Sequence, residues 1–197
     1  MQTFRIQGGS KLNGDVVPQG AKNEALQIIC ATLLTSEEVV ISNIPDIIDV
    51  NKLINLLSSI GVQIKKINSN KYSFKAEKIN LKSLSSEKFK TDGKSIRGSI
   101  MIVGPLLARF GIASIPRPGG DKIGRRRLDT HFGGLIKLGA QFTYDKESRF
   151  YSVKAKKLVG TYILMEEASV TGTANIIMAA SLAKGETIIY NAACEPY

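Results

Sequence analysis

The sequence contains few of the residues that build metal centres and hydrolase active sites. Among its 197 residues there are one histidine, two cysteines and no tryptophan. The histidine, His131, cannot form a ligand cluster alone, and Cys30 and Cys194 lack metal-ligand spacing. We therefore predict no metal and no cofactor, and a Ser-His-Asp hydrolase is disfavoured. Cys30 lies in the apolar run 26–34 and is predicted to be a small core residue.

The sequence also lacks membrane and export signals. No stretch approaches the roughly 18 uncharged apolar residues that a membrane span needs. The amino-terminal residues do not show the basic-then-apolar pattern of a secretory signal. A hydrophobic fraction of 43% with 22% charged residues is ordinary for a soluble globular protein. We therefore predict a cytoplasmic protein without a membrane partner.

Negative charge is scarce: Lys and Arg number 27 against 17 Asp and Glu, and the formal net charge is +10. A basic surface attracts nucleic acid, anionic membranes or small anionic substrates. We interpret the lysines of 65–94 as a solvated surface, whereas the cluster Lys122, Arg125, Arg126 and Arg127 sits beside a glycine turn. Composition alone does not choose between the phosphate of a nucleic acid and that of a metabolite. The absence of a nucleic-acid-binding motif and of basic-aromatic interleaving disfavours nucleic acid.

An internal repeat organises the chain. A helix rich in small and aliphatic residues is followed by a short turn and a β-branched strand three times. The predicted helices span 23–34, 99–108 and 174–183, and the strands that follow them span 39–41, 112–115 and 187–190. After the first two strands, shorter helices at 53–60 and 135–138 end at a glycine and lead into an alternating strand.

These elements predict an α/β (α+β) fold built from strand–helix–strand–helix–strand units of about 75 residues, packed around buried helices. The turn of the second copy is predicted at 109–111, and residues 69–95 are predicted to form a hairpin and a surface loop. The third copy stops at Tyr197 without a second helix or a closing strand. We therefore expect either a fragment or a natural sequence that continues.

Two of the small-residue helices begin with a basic residue. Lys22 follows Gly20 at the start of the first helix, and Arg97 holds the equivalent position before the second. Free backbone N–H groups at a helix N-terminus, together with a neighbouring cation, suit a phosphate or carboxylate. The alternative is an ordinary N-cap at Asn23 with a solvated Lys22.

Two further segments carry candidate chemistry. The loop 118–127 is basic and contains three glycines, as a closing lid requires, and Asp121 within it can donate or accept a proton. A solvated surface loop is the alternative. The third small-residue helix opens with 169–173, whose hydroxyl and N–H groups suit a diphosphate, with simple N-capping as the alternative.

Four motifs, in this order and spacing, resemble the UDP-N-acetylglucosamine enolpyruvyl transferase family. They are Gly20-Ala21-Lys22-Asn23, the phrase 97–111, the Pro-Gly-Gly loop at 118–120 and Ser169-Val170-Thr171-Gly172-Thr173. The resemblance covers 4–196 and implies two similar domains, each an inside-out α/β barrel of three repeats, with the substrates in the cleft between them. Residues 1–20 then form a strand region of the second domain. Residues 21–197 form most of the first domain, with its third repeat incomplete.

The resemblance implies transfer of enolpyruvyl from phosphoenolpyruvate to the 3′-hydroxyl of UDP-N-acetylglucosamine, with release of phosphate, by addition and elimination. This reaction is the first committed step of peptidoglycan synthesis, and therefore of cell-wall growth, cell shape and division. Four residues match positions that bind the substrates in the family: Lys22, Asn23, Arg97 and Arg126. The resemblance implies that Lys22 and Arg126 are also catalytic. The residues that match positions at the sugar nucleotide are Arg127, Leu128, Asp129, Ser169, Val170 and Thr171.

Asp121 matches a catalytic loop position that is commonly a cysteine alkylated by fosfomycin. A carboxylate still relays a proton but is a poor nucleophile toward that epoxide, so the resemblance implies catalysis that is insensitive to fosfomycin. Arg127 replaces a usual proline, and Thr171-Gly172 replaces a usual Gly-Ala pair. The family's general-base aspartate has no counterpart here, so we expect the chain alone to be inactive until the missing C-terminal half completes the cleft. A non-catalytic truncated paralogue that binds only sugar nucleotide is the alternative.

Overall fold

The helices and strands of the chain follow the predicted order. The computed structural model describes residues 3–119 and 127–197. Its α-helices are α1 (Lys22–Ala31), α2 (Ile48–Ser59), α3 (Glu87–Lys94), α4 (Val103–Phe110), α5 (Asp129–Lys137) and α6 (Val170–Ala180). Its strands are β1 (Glu38–Ile41), β2 (Gln63–Lys66), β3 (Tyr72–Lys75), β4 (Ile112–Pro116), β5 (Gln141–Asp145), β6 (Phe150–Lys154), β7 (Tyr162–Leu164) and β8 (Ile188–Tyr190). Short 3₁₀ segments cover Thr32–Leu34, Leu81–Ser85 and Arg97–Ile102.

Two equivalent sheets confirm the predicted repeat. In each, two outer strands flank a central strand antiparallel to both, in the orders β1-β3-β2 and β4-β6-β5. The registers correspond, because Lys75 of β3 and Lys154 of β6 occupy the same place in the two ladders. The outer strands of each sheet are parallel and are joined through a helix, α2 or α5, as a parallel connection requires.

The third copy is shorter in the part of the chain that the structure describes. It contains α6 and β8, and β8 pairs in parallel with β7 as a two-stranded sheet. Tyr190 of β8 and Tyr162 of β7 are exposed. The described residues form no closed barrel, and the arrangement is an incomplete α/β fold.

The core lies between the three small-residue helices α1, α4 and α6. Their inward residues include Ile29, Leu106 and Ile176, which are fully buried. Helices α4 and α6 approach closely at Gly104, where an added Cβ would overlap the main-chain carbonyl and side-chain oxygens of Asn175. Small residues are therefore required at this crossing because the two backbones nearly touch.

Glycines end the helices where the repeat predicted them. Gly61 and Gly139 follow α2 and α5 with φ of +103° and +102°, and Gly111 caps α4 with φ of +71°. The helix lengths correct our expectations: α2 and α5 begin earlier than 53 and 135 because Ile48 and Asp129 already open their first turns. Likewise the turn expected at 109–111 reduces to Gly111, since α4 continues to Phe110.

The segment 69–95 is more ordered than the predicted hairpin and loop. The hairpin exists, as β2 pairs with β3, but the predicted loop contains helix α3. Ser86 caps α3 by accepting a hydrogen bond from the Phe89 N–H, and the Phe89 ring is fully buried. One buried aromatic residue on a strongly polar helix was too weak a periodic signal to predict it. The lysines of 65–94 are exposed or half-buried, which confirms the solvated surface.

The amino-terminal residues remain outside the core. Within the described stretch 3–20 there is no strand, and Phe4, Ile6 and Leu12 are at least 88% exposed. The assignment of 1–20 to a second domain stays a prediction. Across the described ranges, no helix has the length and hydropathy to cross a bilayer. Cys30 is fully buried, as predicted, and this burial raises the pKa of its thiol.

Replacing Gly104 with alanine tests the close crossing of α4 and α6. We expect Gly104→Ala to destabilise the fold by about 2–4 kcal/mol, because the new Cβ must push the Asn175 backbone away. Urea unfolding followed by circular dichroism measures the change. The matched control is Gly133→Ala in α5, where an added Cβ meets open space and helix propensity predicts a gain of up to about 1 kcal/mol. Equal stability of the two variants would contradict the crossing.

Candidate functional site

Three helix starts meet at one cavity. Lys22 begins α1, Arg97 begins the 3₁₀ turn that continues into α4, and Val170 begins α6. The cavity has a volume of about 740 Å³. The predicted residues that line it are Lys22, Asn23, Arg97, Arg127, Ser169, Val170 and Thr171. Lys22 and Arg97, which the sequence places at equivalent helix starts, thus line the same cavity.

The lining of this cavity carries an excess of positive charge. The cationic side chains are Lys22, Lys52, Arg97 and Arg127, and the carboxylates are Asp49 and Glu167. The first-turn N–H groups of α1 and α6 add partial positive charge, because they have no carbonyl partner four residues back within their own helix. Such a concave, cationic surface concentrates small anions.

Lys22 forms an ion pair that the sequence analysis did not anticipate. Its Nζ lies 3.1 Å from Oδ2 of Asp49, and the two side chains are 50% and 42% exposed. A half-exposed pair stabilises the fold by less than about 1 kcal/mol, so its main effect is to orient the ammonium group. Asp49 stands in the first turn of α2, where acidic residues commonly complement the helix dipole, and that position was its only signal in the sequence.

The start of α1 corrects the simple capping interpretation. The N-cap residue is Ala21, which makes no side-chain hydrogen bond, and Asn23 lies inside the first turn. The Asn23 amide is therefore exposed at the cavity rather than used as a cap. Gly20 is required because an added Cβ would collide with the Asn43 carbonyl oxygen. This close approach sets the direction in which the chain enters α1.

At α6 the predicted N-cap is confirmed, and diphosphate binding there stays a prediction. Ser169 is the N-cap, and its Oγ accepts a hydrogen bond 3.1 Å long from the Gly172 N–H. An added Cβ at Gly172 would lie only 3.1 Å from this hydroxyl oxygen, which explains a glycine there. Val170 and Thr171 lie in the first turn of α6, whose N–H groups have no carbonyl partner within the helix, and both residues line the cavity.

A second, larger cavity of about 1410 Å³ adjoins the first and shares Arg97 and Arg127 with it. Leu128 and Asp129 line this second cavity, beside a cluster of aromatic rings. The rings are Phe132, Phe142 and Tyr151, with the Phe132 centroid 4.4 Å and 5.1 Å from the other two. An apolar, aromatic wall beside arginines suits a flat, polar heterocycle.

Arg127 connects the two cavities through its own contacts. Its Nε donates a hydrogen bond 2.6 Å long to Oδ2 of Asp129, and its carbonyl oxygen accepts one from Arg97. The hydrogen bond that Arg127 donates to Asp129, and then the charge of Asp129, raise the pKa of Arg127. The Asp129 carboxylate is therefore already partnered, and a ligand that reaches it must share or displace Arg127.

The single histidine is buried behind the cavities. His131 lies in α5 and is 1% exposed, with Nε2 3.2 Å from Oγ1 of Thr171 and Nδ1 3.0 Å from Nδ2 of Asn175. Burial, and then the charge of Arg97, lower the pKa of His131 to about 4. The imidazole is therefore neutral at pH 7. Sequence reasoning gave this residue no role.

Two predicted site residues, Asp121 and Arg126, lie outside the described residues, as do Lys122 and Arg125. Every other predicted substrate residue lines one or both of the adjoining cavities. The charged lining residues that sequence reasoning missed are Asp49, Lys52, Arg117, Lys137, Glu166 and Glu167. Among the described side chains, no group of three or more His, Cys, Asp and Glu is arranged to hold a metal ion.

The chain matches one family model and a set of curated relatives. The model described as EPSP synthase (3-phosphoshikimate 1-carboxyvinyltransferase) matches residues 6–197. Over all 197 residues the chain is 60% identical to a UDP-N-acetylglucosamine 1-carboxyvinyltransferase of Bacteroides fragilis and 61% identical to one of Bacteroides thetaiotaomicron. One of Borreliella burgdorferi is 46% identical. The chain spans about 45% of the length of these relatives.

Solved structures share the fold at low sequence identity. The enolpyruvyl transferase NikO from Streptomyces tendae superposes with a TM-score of 0.74 over 92% of this chain and 42% of that chain, at 18% identity. An EPSP synthase from Acinetobacter baumannii gives a TM-score of 0.69 over 93% of this chain and 41% of that one, also at 18% identity. The predicted repeat architecture is therefore confirmed at the level of the fold.

The buried, neutral His131 predicts a pH-dependent stability. The unfolded chain takes up a proton at this residue below about pH 6.5, whereas the folded chain does so only near pH 4. Stability from the neutral imidazole is therefore complete above pH 6.5 and is lost as the pH falls toward 4, by roughly 3 kcal/mol in total.

The measurement is urea unfolding between pH 7 and pH 4 for the wild type and His131→Gln. Carboxylates titrate in both proteins and cancel in the difference, so the wild type is expected to lose more stability than the variant. Parallel losses would show that the imidazole is not held neutral in the fold.

Proposed function

Because the chain belongs to the EPSP synthase (3-phosphoshikimate 1-carboxyvinyltransferase) family, we propose that it forms part of a UDP-N-acetylglucosamine 1-carboxyvinyltransferase. The reaction transfers enolpyruvyl from phosphoenolpyruvate to the sugar 3′-hydroxyl and releases phosphate. The observation that carries this proposal is the cationic cavity at which three helix starts meet with Lys22, Arg97 and Thr171. The identity of 60–61% to relatives with that printed name supports the choice of substrates.

In this proposal the cavity holds the phosphoenolpyruvate anion. Lys22, oriented by Asp49, and Arg97 supply positive charge, and the guanidinium group can bind a phosphate or carboxylate through two parallel hydrogen bonds. Charge that is already in place stabilises the charge developed during addition and elimination without reorganisation. Arg126 and Asp121 complete the set on the strength of the resemblance, with Asp121 relaying a proton.

The sugar nucleotide occupies the two adjoining cavities. Its diphosphate lies at the start of α6, where Ser169, Val170 and Thr171 offer N–H and hydroxyl groups. Its uracil lies in the larger cavity near Leu128 and Asp129, beside the aromatic wall. Arg97 and Arg127 line both cavities and can therefore contact either reacting molecule.

Completion of the reaction requires more protein than this chain contains. The chain spans about 45% of the relatives' length. We propose that the remaining part closes the cleft and supplies the general base, and that the whole enzyme acts in the cytoplasm in peptidoglycan synthesis. The substrates are small molecules, with no nucleic acid, membrane or cofactor involved.

Phosphate release from phosphoenolpyruvate, with and without UDP-N-acetylglucosamine, tests the reaction. We expect no release from the chain alone, and release that needs both substrates once the remaining part is restored. Lys22→Met in the restored enzyme is expected to lower kcat/KM at least about 100-fold, because a charge facing the transition state is lost. The control Lys88→Met removes an exposed lysine of α3 and is expected to have no effect. Phosphate release without UDP-N-acetylglucosamine would refute the proposal. An unchanged kcat/KM in Lys22→Met would also refute it.

Fosfomycin sensitivity tests the role of Asp121. We expect the restored enzyme to keep its activity in fosfomycin, because a carboxylate attacks the epoxide poorly, and Asp121→Cys to become irreversibly inactivated. Mass spectrometry of the treated variant should show one added inhibitor per chain, and the wild type none. Inactivation of the wild type at low fosfomycin would sink this assignment.

A further inference from the structure

A chain of side-chain hydrogen bonds leads from the buried core to the cavity surface. Asn175 is fully buried in α6, His131 is 1% exposed in α5, and Thr171 is exposed at the cavity. Asn175 Nδ2 lies 3.0 Å from His131 Nδ1, and His131 Nε2 lies 3.2 Å from Thr171 Oγ1. Buried polar groups are costly unless they are hydrogen-bonded, so this arrangement needs a physical reason.

The direction of every bond follows from two main-chain groups. The Gly104 N–H can only donate, and it lies 2.7 Å from Asn175 Oδ1, so that atom is the amide oxygen. The Ile100 carbonyl can only accept, and it lies 3.1 Å from Asn175 Nδ2, so that atom is the amide nitrogen. The second hydrogen on Nδ2 then points to His131 Nδ1, which must accept it.

The histidine tautomer and the hydroxyl orientation follow in turn. With Nδ1 accepting, the neutral imidazole carries its hydrogen on Nε2 and donates it to Thr171 Oγ1. The threonine oxygen is therefore the acceptor in this bond, and its own proton points away from the imidazole. Helix α6 brings no ionisable group to the imidazole, and the charge of Arg97 opposes its protonation.

We propose that His131 and Asn175 are positioning residues that hold the Thr171 hydroxyl as a hydrogen-bond donor to a phosphate of the sugar nucleotide. The inference rests on the proposed function, since it assumes that a nucleotide diphosphate occupies the start of α6. Asn175 also joins α4 to α6 through its hydrogen bond with the Gly104 N–H. The same contact that packs the core therefore fixes the hydrogen-bond direction at the Thr171 hydroxyl. An exposed threonine without this support would spread its hydroxyl over several rotamers, and binding would have to overcome that entropy.

The tautomer can be tested directly because the chain has a single histidine. Long-range ¹H–¹⁵N spectra of the ¹⁵N-labelled chain should show one imidazole, with its proton on Nε2, and no titration between pH 5 and pH 8. Either the opposite tautomer or a titration near pH 6.5 would overturn the proposal, independently of any substrate.

A double-mutant cycle in the restored enzyme tests the positioning role, with UDP-N-acetylglucosamine as the calorimetric probe. We expect Thr171→Val to weaken binding about tenfold, as loss of one hydrogen bond to a charged acceptor predicts, and Thr171→Ser to restore it. His131→Leu should weaken binding to a similar extent in the wild type but not in the Thr171→Val background. His131→Gln, which keeps a donor near the Nε2 position, is the second variant if His131→Leu does not fold.

The outcomes separate this inference from the proposed function. Tight binding by the wild type with additive effects of the two substitutions would overturn the positioning role and leave the nucleotide site intact. Uridine has no phosphate, so the positioning role would also be overturned if the substitutions weakened the binding of uridine as much as that of UDP-N-acetylglucosamine. A restored wild-type enzyme that binds no sugar nucleotide would instead refute the nucleotide site itself. The circular dichroism spectrum of each variant serves as the control for folding.

Discussion

The structure depends on the crossing of α4 and α6, where the buried Asn175 side chain accepts a hydrogen bond from the Gly104 N–H. The crossing is possible only because position 104 has no Cβ, and it brings the helix starts of the second and third copies to one cavity. The first copy joins them through α1, which packs against the 3₁₀ segment Arg97–Ile102 and α6. The close crossing at Gly104 therefore also brings together the helix starts that line the cavity.

Electrostatics explains why the site is placed at helix starts. Each helix contributes partial positive charge from its unpaired N–H groups, and the sequence adds Lys22 and Arg97 at two of them. Because the cavity is concave and lined with more cations than carboxylates, a dianion gains from several fixed charges at once. Asp49 offsets part of this field, since its carboxylate lies 3.1 Å from the Lys22 ammonium group.

Much of the fold was predictable because its signals are local. Small-residue helices, glycines at their ends and β-branched strands repeat in the sequence, and the structure confirms all three copies together with the place of Gly61 and Gly139. Helix α3 was missed, since it is held by one buried ring, Phe89, and has little periodicity of its own. Asp49 was missed because its partner Lys22 lies 27 residues away and no local pattern joins them.

The sequence by itself determined the repeat, the positive charge and the residue types at the helix starts, because these depend on neighbours along the chain. Only the tertiary structure decided which of them share a cavity, that Arg127 binds Asp129, and that His131 lies buried and neutral between α5 and α6. The physical reason is that burial and hydrogen-bond direction are properties of contacts between distant segments. The sequence around His131 does not indicate its burial or its tautomer, because both depend on contacts with Asn175 and Thr171 of another helix.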